Sequence, residues 1–391
     1  AVMATRVSAP PMPMAHISPA KVILWALFLV GLVVAGMRFA WGMGAISNMS
    51  NAYSFGLWIS LDLLCGVALA AGAFTVCAAV YILNLKEYRP LVRPAVLTGF
   101  LGYVMVVTAL LVDLGRPERI WQMIIYWNFH SPLFEVGICV MTYTTVLALE
   151  FSPLLFEKLH WKGPERLIHK ITLPLVILGV VLSTLHQSSL GSLFLVMADK
   201  LNPLWHSPLL PIFFFVSAAS VGLAMVVVEA SISSWAYGRS MEVHLLSRLT
   251  RVLPWLLGTY LTLKIGELAY AGELGLLFKS GRLTVLFWVE LLGGVAIPMV
   301  LFAVRKVRES RTGLTAGAAL VVVGLMLNRI DVGLIAWKRP AGSWYFPHWM
   351  EFALSFGIIA AGVLAYDWVA RNLALFEDGH AKEGIPCAQE D

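Results

Sequence analysis

PIFFFVSAASVGLAMVVV (211–228) runs eighteen residues without a charge, then meets Glu229 and the small, polar ASISSW (230–235). Coiled as a helix it spans about 27 Å at 1.5 Å per residue, close to the ~30 Å of a bilayer's hydrocarbon core. Stretches of the same character recur along the chain. Ten can be drawn, at 21–41, 56–85, 94–114, 132–156, 171–196, 208–236, 251–271, 283–304, 313–336 and 348–371. The connections between them are short. Of the 391 residues, 59% are hydrophobic and 13% charged, too little charge to wet the surface of a soluble domain. Lipid offers the backbone no hydrogen bonds, so each spanning segment must satisfy its own. The expectation is an all-α polytopic membrane protein of about ten transmembrane helices.

Pro94, Pro132 and Pro208 mark helix starts, where a missing N–H costs nothing, and Pro174 and Pro254 fall near first turns. The stretch 1–20 reads as a tail without a signal-peptide pattern, 21–371 as the transmembrane domain, and 372–391 as a second tail. The first run therefore reads as a retained helix. Lys and Arg number 18 in the tails and even-numbered loops and 8 in the odd loops, with Lys264 and Arg329 inside helices. By the positive-inside rule both termini are cytoplasmic. The net charge of +5 does not suggest nucleic acid, since no basic stripe interleaves with aromatics on a soluble domain. Cys65, Cys77, Cys139 and Cys387 form no CxxC pair and read as no zinc, iron–sulfur or disulfide framework. The odd loops RPERIWQMIIYWNFHSP (116–132) and KRPAGSWYFPHW (338–349) are dense in aromatics. They suit an interfacial belt, a docking face for an extracytoplasmic partner, or both.

A faint echo separates VRPAVLTGFLGYVMVVTALLVDLG (92–115) from TRVLPWLLGTYLTLKIGELAYAG (250–272), and LFEVG (133–137) from WVELLGG (288–294). Four helices lie between the copies, so they share one orientation. That predicts two four-helix bundles, helices 2–5 and 6–9, flanked by helices 1 and 10.

Ionisable groups inside a bilayer cost at least a few kcal/mol and are functional candidates. Here they are Asp62, Asp113, Glu135, His186, Glu229, Lys264, Glu267, Glu290, Arg329, Asp331 and Glu351, most of them toward the outer ends of their runs. His186 stands in LHQSSLGSL, a polar patch in an apolar run, and is the one histidine well inside a span. A b-type haem commonly needs two axial ligands, His with His or His with Met, so a lone His argues against a di-haem cytochrome and leaves a single haem with a Met partner as an alternative. A quinone needs a hydrogen-bond donor and a source of protons, which His with nearby carboxylates supplies. The competing reading of the patch is hydrogen-bonded glue between helices. Glu135, just after Pro132, also reads as a helix N-terminal charge, and the same holds for Asp62. Glu229 has no such explanation and reads as a proton relay or the partner of a base such as Lys264. Asp113 with Arg116, and Glu267, read as interfacial anchors. Lys264–Glu267 and Arg329–Asp331 read as local neutralising pairs.

The runs FGLWISLDLLCGVALAAGAF (55–74), YRPLVRPAVLTGFLGY (88–103), SPLFEVGICVMTY (131–143), ALEFSPLLFEKLHW (148–161), TLHQSSLGSL (184–193), VVEASISS (227–234), KIGELAY (264–270) and YFPHWMEFALSFGI (345–358) resemble the NrfD/PsrC (polysulfide reductase NrfD) family. Within it they are most similar to the membrane subunits of hydrogenase-2-type [NiFe] hydrogenases, with the subunits of sulfur-metabolism complexes close behind. The resemblance implies a subunit of the bacterial or archaeal inner membrane with no haem or metal of its own. It implies a menaquinone or ubiquinone bound near the outer face, beneath an extracytoplasmic iron–sulfur, ferredoxin-like subunit that serves a catalytic subunit such as a [NiFe] hydrogenase. By motif it implies Asp62, Tyr103, Glu135 and His186 at the quinone, and Glu229 with Arg93 on the inward side. Lys264 and Glu267 join them as proton-transfer candidates. A transporter or channel is the rival class, though it would call for Gly- or Pro-broken helices at the midplane, and none stands out. A passive anchor is the third.

Overall fold

With no water to bond to in lipid, the chain folds almost wholly into helices. The computed structural model describes residues 18–50, 53, 55–197, 200–338 and 345–376. The expected tails up to residue 17 and from 377, with Arg6, Lys382 and Cys387, lie outside the described residues, as do 339–344 of the second aromatic loop. The helices are α1 (Pro19–Trp41), α2 (Trp58–Ile82), α3 (Lys86–Asp113), α4 (Pro132–Leu159), α5 (Lys162–Leu195), α6 (Leu210–Tyr237), α7 (Leu253–Tyr270), α8 (Arg282–Ala303), α9 (Arg311–Ile335) and α10 (Trp349–Asn372). Among the described residues nine are long and apolar enough to cross a membrane; the eighteen-residue α7, which carries Lys264 and Glu267, is the exception. Each expected run is a helix. The β-structure among the described residues is a single bridge, Leu201 to Trp337, tying the loop after α5 to the end of α9.

The contacts form two rings. Helices α2, α3, α4 and α5 pack in sequence and close through α2–α5, and α6, α7, α8 and α9 close through α6–α9. The rings meet where α6 packs on α2 and α5 and where α9 packs on α2. Helices α1 and α10 pair and lie against α3. The two bundles suggested by the echo are therefore present, in the expected order.

Three details differ from expectation. Helix α5 begins at Lys162, earlier than the run at 171, so it is about 51 Å long and Pro174 lies well inside it. Helix α2 is interrupted by a turn at Ala70–Ala71 and has π-helical stretches at 58–65 and 78–82. Further π stretches occupy 289–296 of α8 and 331–335 of α9. The apolar runs hide these breaks because hydrophobicity does not report which carbonyl each N–H reaches. A π turn inserts a residue, re-aims the side chains around it and often marks a working site. Asp62, Glu290 and Asp331 all sit in such stretches.

Small residues let the rings touch. At the α2–α6 crossing, a Cβ on Gly222 would stand 2.8 Å from the Ala71 carbonyl carbon, and one on Gly72 3.0 Å from the Gly222 oxygen. Apolar burial drives little association between helices in lipid, so close backbone approach has to supply it. Gly222→Val is expected to cost about 1–3 kcal/mol through overpacking. It should shift the protein toward aggregate on size-exclusion chromatography in mild detergent. Gly36→Val, with no neighbour within 4 Å, should elute as wild type; matching profiles for the two variants would remove the crossing from the account.

Candidate functional site

The polar patch on α5 turns about 100° per residue, so its side chains reach different neighbours. The Nδ1 of His186 lies 3.0 Å from the Tyr103 hydroxyl on α3. Gln187 donates to the Val67 carbonyl on α2 at 3.2 Å. Ser189 donates to Glu135 Oε1 on α4 at 2.6 Å. All four helices of the first bundle thus converge on one turn of α5. His186, Gln187 and Tyr103 are wholly buried, and Tyr103 stacks edge-on against Tyr143 with ring centres 4.7 Å apart. His186 Nε2 and Gln187 Oε1 are buried without a hydrogen-bond partner. Unpartnered polar atoms are rare in a folded interior and call for an explanation.

Of the four residues expected together, Tyr103 and His186 bond directly and Glu135 reaches the same turn through Ser189. Asp62 turns the other way: Ser355 on α10 donates to its Oδ2 at 2.6 Å, and no hydrogen bond joins it to the other three. Glu351, one turn before Ser355, has a structural role. It closes a capping box with His348, accepts from the Asn48 N–H at 3.0 Å and receives the Tyr345 hydroxyl at 2.5 Å. Burial first, then the bond to Glu351, holds the Tyr345 phenol well above the ordinary range.

The second bundle has its own polar cluster. Glu290 accepts from Trp205 Nε1 at 2.9 Å and from Asn328 Nδ2 at 2.8 Å. Arg329 bonds Asn328 at 2.7 Å and Ser217 at 2.8 Å, and its guanidinium stands 3.7 Å from the centre of the Phe214 ring. Tyr260 and Glu290 line one cavity there and stand where the repeat puts Tyr103 and Glu135. Two expected pairs do not form. Arg329 is spent on Asn328, Ser217 and Phe214, while Asp331 keeps both oxygens buried without a hydrogen bond. Lys264 makes no ion pair with Glu267 among the described residues. Its ammonium lies over Phe213 and Phe287, at 5.3 and 5.8 Å from the ring centres.

Toward the face of the even-numbered loops, the Tyr366 hydroxyl on α10 donates to Glu229. Lys264 is thus not its partner, as the sequence had allowed. Arg93 donates to the Ala374 carbonyl at 2.7 Å and to Glu157 at 3.3 Å. Arg38 of α1 is buried and donates to the carbonyls of Val112 and Leu114 at 2.8 and 2.6 Å, capping α3. Asp113 beside it leaves one oxygen buried and unpartnered, more enclosed than an interfacial anchor. Reading the sequence missed Tyr366, Trp205 and Asn328. Asn328 could have been found from NRID (328–331), three polar residues inside an apolar run.

This arrangement has known relatives. The profile of the family described as polysulphide reductase, NrfD, matches residues 45–336. A protein of Nitratidesulfovibrio vulgaris is 41% identical over 379 residues, covering 94% of this chain and 97% of its own length. The probable Ni/Fe-hydrogenase 2 b-type cytochrome subunit of Escherichia coli is 34% identical over 364 residues, covering 92% and 93%. The menaquinone reductase integral membrane subunit of Nitratidesulfovibrio vulgaris is 29% identical over 395 residues, with the same coverage. A match over most of the transmembrane chain, carried by the helices that build both polar clusters, makes this protein a member of the polysulphide reductase NrfD family.

Proposed function

We propose that this chain is the quinone-reactive membrane subunit of a respiratory redox complex. It exchanges electrons between an extracytoplasmic iron–sulfur subunit and menaquinone or ubiquinone, with proton transfer at His186. A [NiFe] hydrogenase is the proposed catalytic partner, on the strength of the Escherichia coli relative. The quinone follows the menaquinone reductase relative. The observation that carries the reading is the His186–Tyr103 bond with Nε2 left unpartnered. When Tyr103 donates to Nδ1, Nε2 bears the hydrogen and donates to a quinone carbonyl. In the other tautomer Nε2 accepts from a quinol hydroxyl. One side chain therefore serves either direction of electron flow.

Glu135, through Ser189, holds the α4 side of the site, and Asp62 acts from the α10 side. Glu229, Arg93, Lys264 and Glu267 are the further proton-transfer candidates, of which Glu229 with Tyr366 is the best supported. The haem in the Escherichia coli relative's name does not fit a bis-histidine site here. Among the described residues His186 is the one buried histidine. The excess of Lys and Arg on the even loops supports placing both termini in the cytoplasm of a bacterial or archaeal inner membrane. The odd-loop face then lies outside, where Trp121, Tyr126, Trp127 and Phe129, each at least half exposed, offer an aromatic surface for the iron–sulfur partner.

His186→Ala is expected to lower quinone-linked turnover of the intact complex by about 100-fold, the usual scale of lost acid–base catalysis. Glu135→Gln should fall in the same direction, with assembly intact by affinity co-purification. Wild-type rates in both would leave the chain as an anchor. Tyr103→Phe removes one hydrogen bond and should lower turnover by roughly tenfold or less. A loss as deep as that of His186→Ala would instead give Tyr103 a proton of its own to transfer.

A further inference from the structure

A cavity in the first bundle opens at the opposite end from the expected quinone. It lies among α2, α3, α4 and α5, measures about 120 Å³, and has Tyr81, Arg89, Arg93, His169 and Thr172 among its lining. Tyr81, Arg89 and His169 are exposed, so its rim meets the even-loop face. That volume holds several waters. Glu150 of α4 also lines it, with Oε1 buried and unpartnered. Neither the repeat nor the motifs singled out Glu150.

Above Glu150 the polar atoms continue. Two turns back along α4, on the same face, is Tyr143 (Glu150 follows it by seven residues), and across from both is Gly179 of α5. A Cβ placed on Gly179 would lie 3.6 Å from Glu150 Oε1 and 3.6 Å from the Tyr143 ring, so one methyl-sized gap adjoins both. Ser183 is one turn further along α5, and His186 three residues beyond it. The Tyr143 ring contacts Tyr103, which bonds His186. Glu150 Oε1, Tyr143 Oη, Ser183 Oγ and His186 Nε2 are all buried with no hydrogen-bond partner. Nε2 is the atom assigned to the quinone; the other three stand in one file beyond a cavity with room for several waters, and bridging water would satisfy them.

We propose that Glu150 is the proton-transfer group that connects the even-loop face to His186, through Tyr143, Ser183 and the water between them. This rests on the assignment of His186 to the quinone. Each quinone reduced takes two electrons from the iron–sulfur partner and two protons. The file delivers protons to His186 on its Nδ1 side, where Tyr103 stands, and Nε2 passes them to the quinone oxygens. In quinol oxidation the same file carries protons away, and Glu150 ends each cycle in the state in which it began.

The experiment uses the intact complex in sealed vesicles, with a pH indicator on the even-loop side. Glu150→Gln is expected to lower kcat by about tenfold or more, the lower range of lost acid–base assistance. The quinone KM should stay unchanged, and proton uptake from that side should slow in parallel. Glu150→Asp should restore much of the rate. Gly179→Ala, whose methyl fits at ordinary contact distance beside Glu150 and Tyr143, should slow proton uptake without replacing a titratable group. Should Glu150→Gln fail to assemble, Gly179→Ala decides alone. Wild-type kcat and uptake in the variants, with His186→Ala still inactive, overturn the proposal while leaving the quinone assignment standing. Wild-type turnover in His186→Ala overturns the assignment and the proposal with it.

Discussion

Lipid cannot accept or donate a hydrogen bond, and nearly everything in this protein follows from that one restriction. It makes the backbone helical throughout. It gathers the side chains that cannot be satisfied by their own helix into clusters where two or more helices meet. It also makes leftover polar atoms conspicuous. In a soluble protein an unbonded Nε2 near the surface would mean nothing. Between four apolar helices such an atom calls for a partner, because a buried polar group left without one costs free energy.

The two bundles answer the restriction differently. In the first, a tyrosine, a glutamate and a histidine meet at one turn of α5. In the second, Tyr260 and Glu290 occupy the corresponding places, but the cation is Arg329, which does not lose its proton. Its guanidinium is held by Asn328, Ser217 and the Phe214 face. The first bundle centres its polar cluster on a histidine and the second on an arginine.

The sequence carried much of this. The ten runs were legible because a membrane span must be apolar for its whole length, and the two bundles were legible from a weak echo. His186 stood out because a lone histidine in an apolar run is expensive. What sequence could not carry was partnership. Glu229 bonds Tyr366, Arg38 caps α3, and Lys264 lies over two phenyl rings. Each of these depends on how helices far apart in the chain are rotated. The break in α2 and the π stretches were hidden for a related reason, since both change hydrogen-bond register while leaving composition untouched. Glu150 escaped notice because a carboxylate near a helix end has many ordinary explanations.

The pairing of α1 with α10 bears on how the protein is made. Within this sequence α1 precedes α10 with eight helices between, so it waits for its partner while they are synthesised. Only 17% of the apolar window of α1 is buried in the finished fold, so most of its surface faces lipid before and after assembly alike. Lys21 and Arg38 lie near its two ends, within reach of the polar headgroups. It can wait alone in the bilayer without cost. The Lys21–Asp367 ion pair, at 2.7 Å, closes only when α10 arrives, whereas the capping of α3 by Arg38 needs no more than the first three helices.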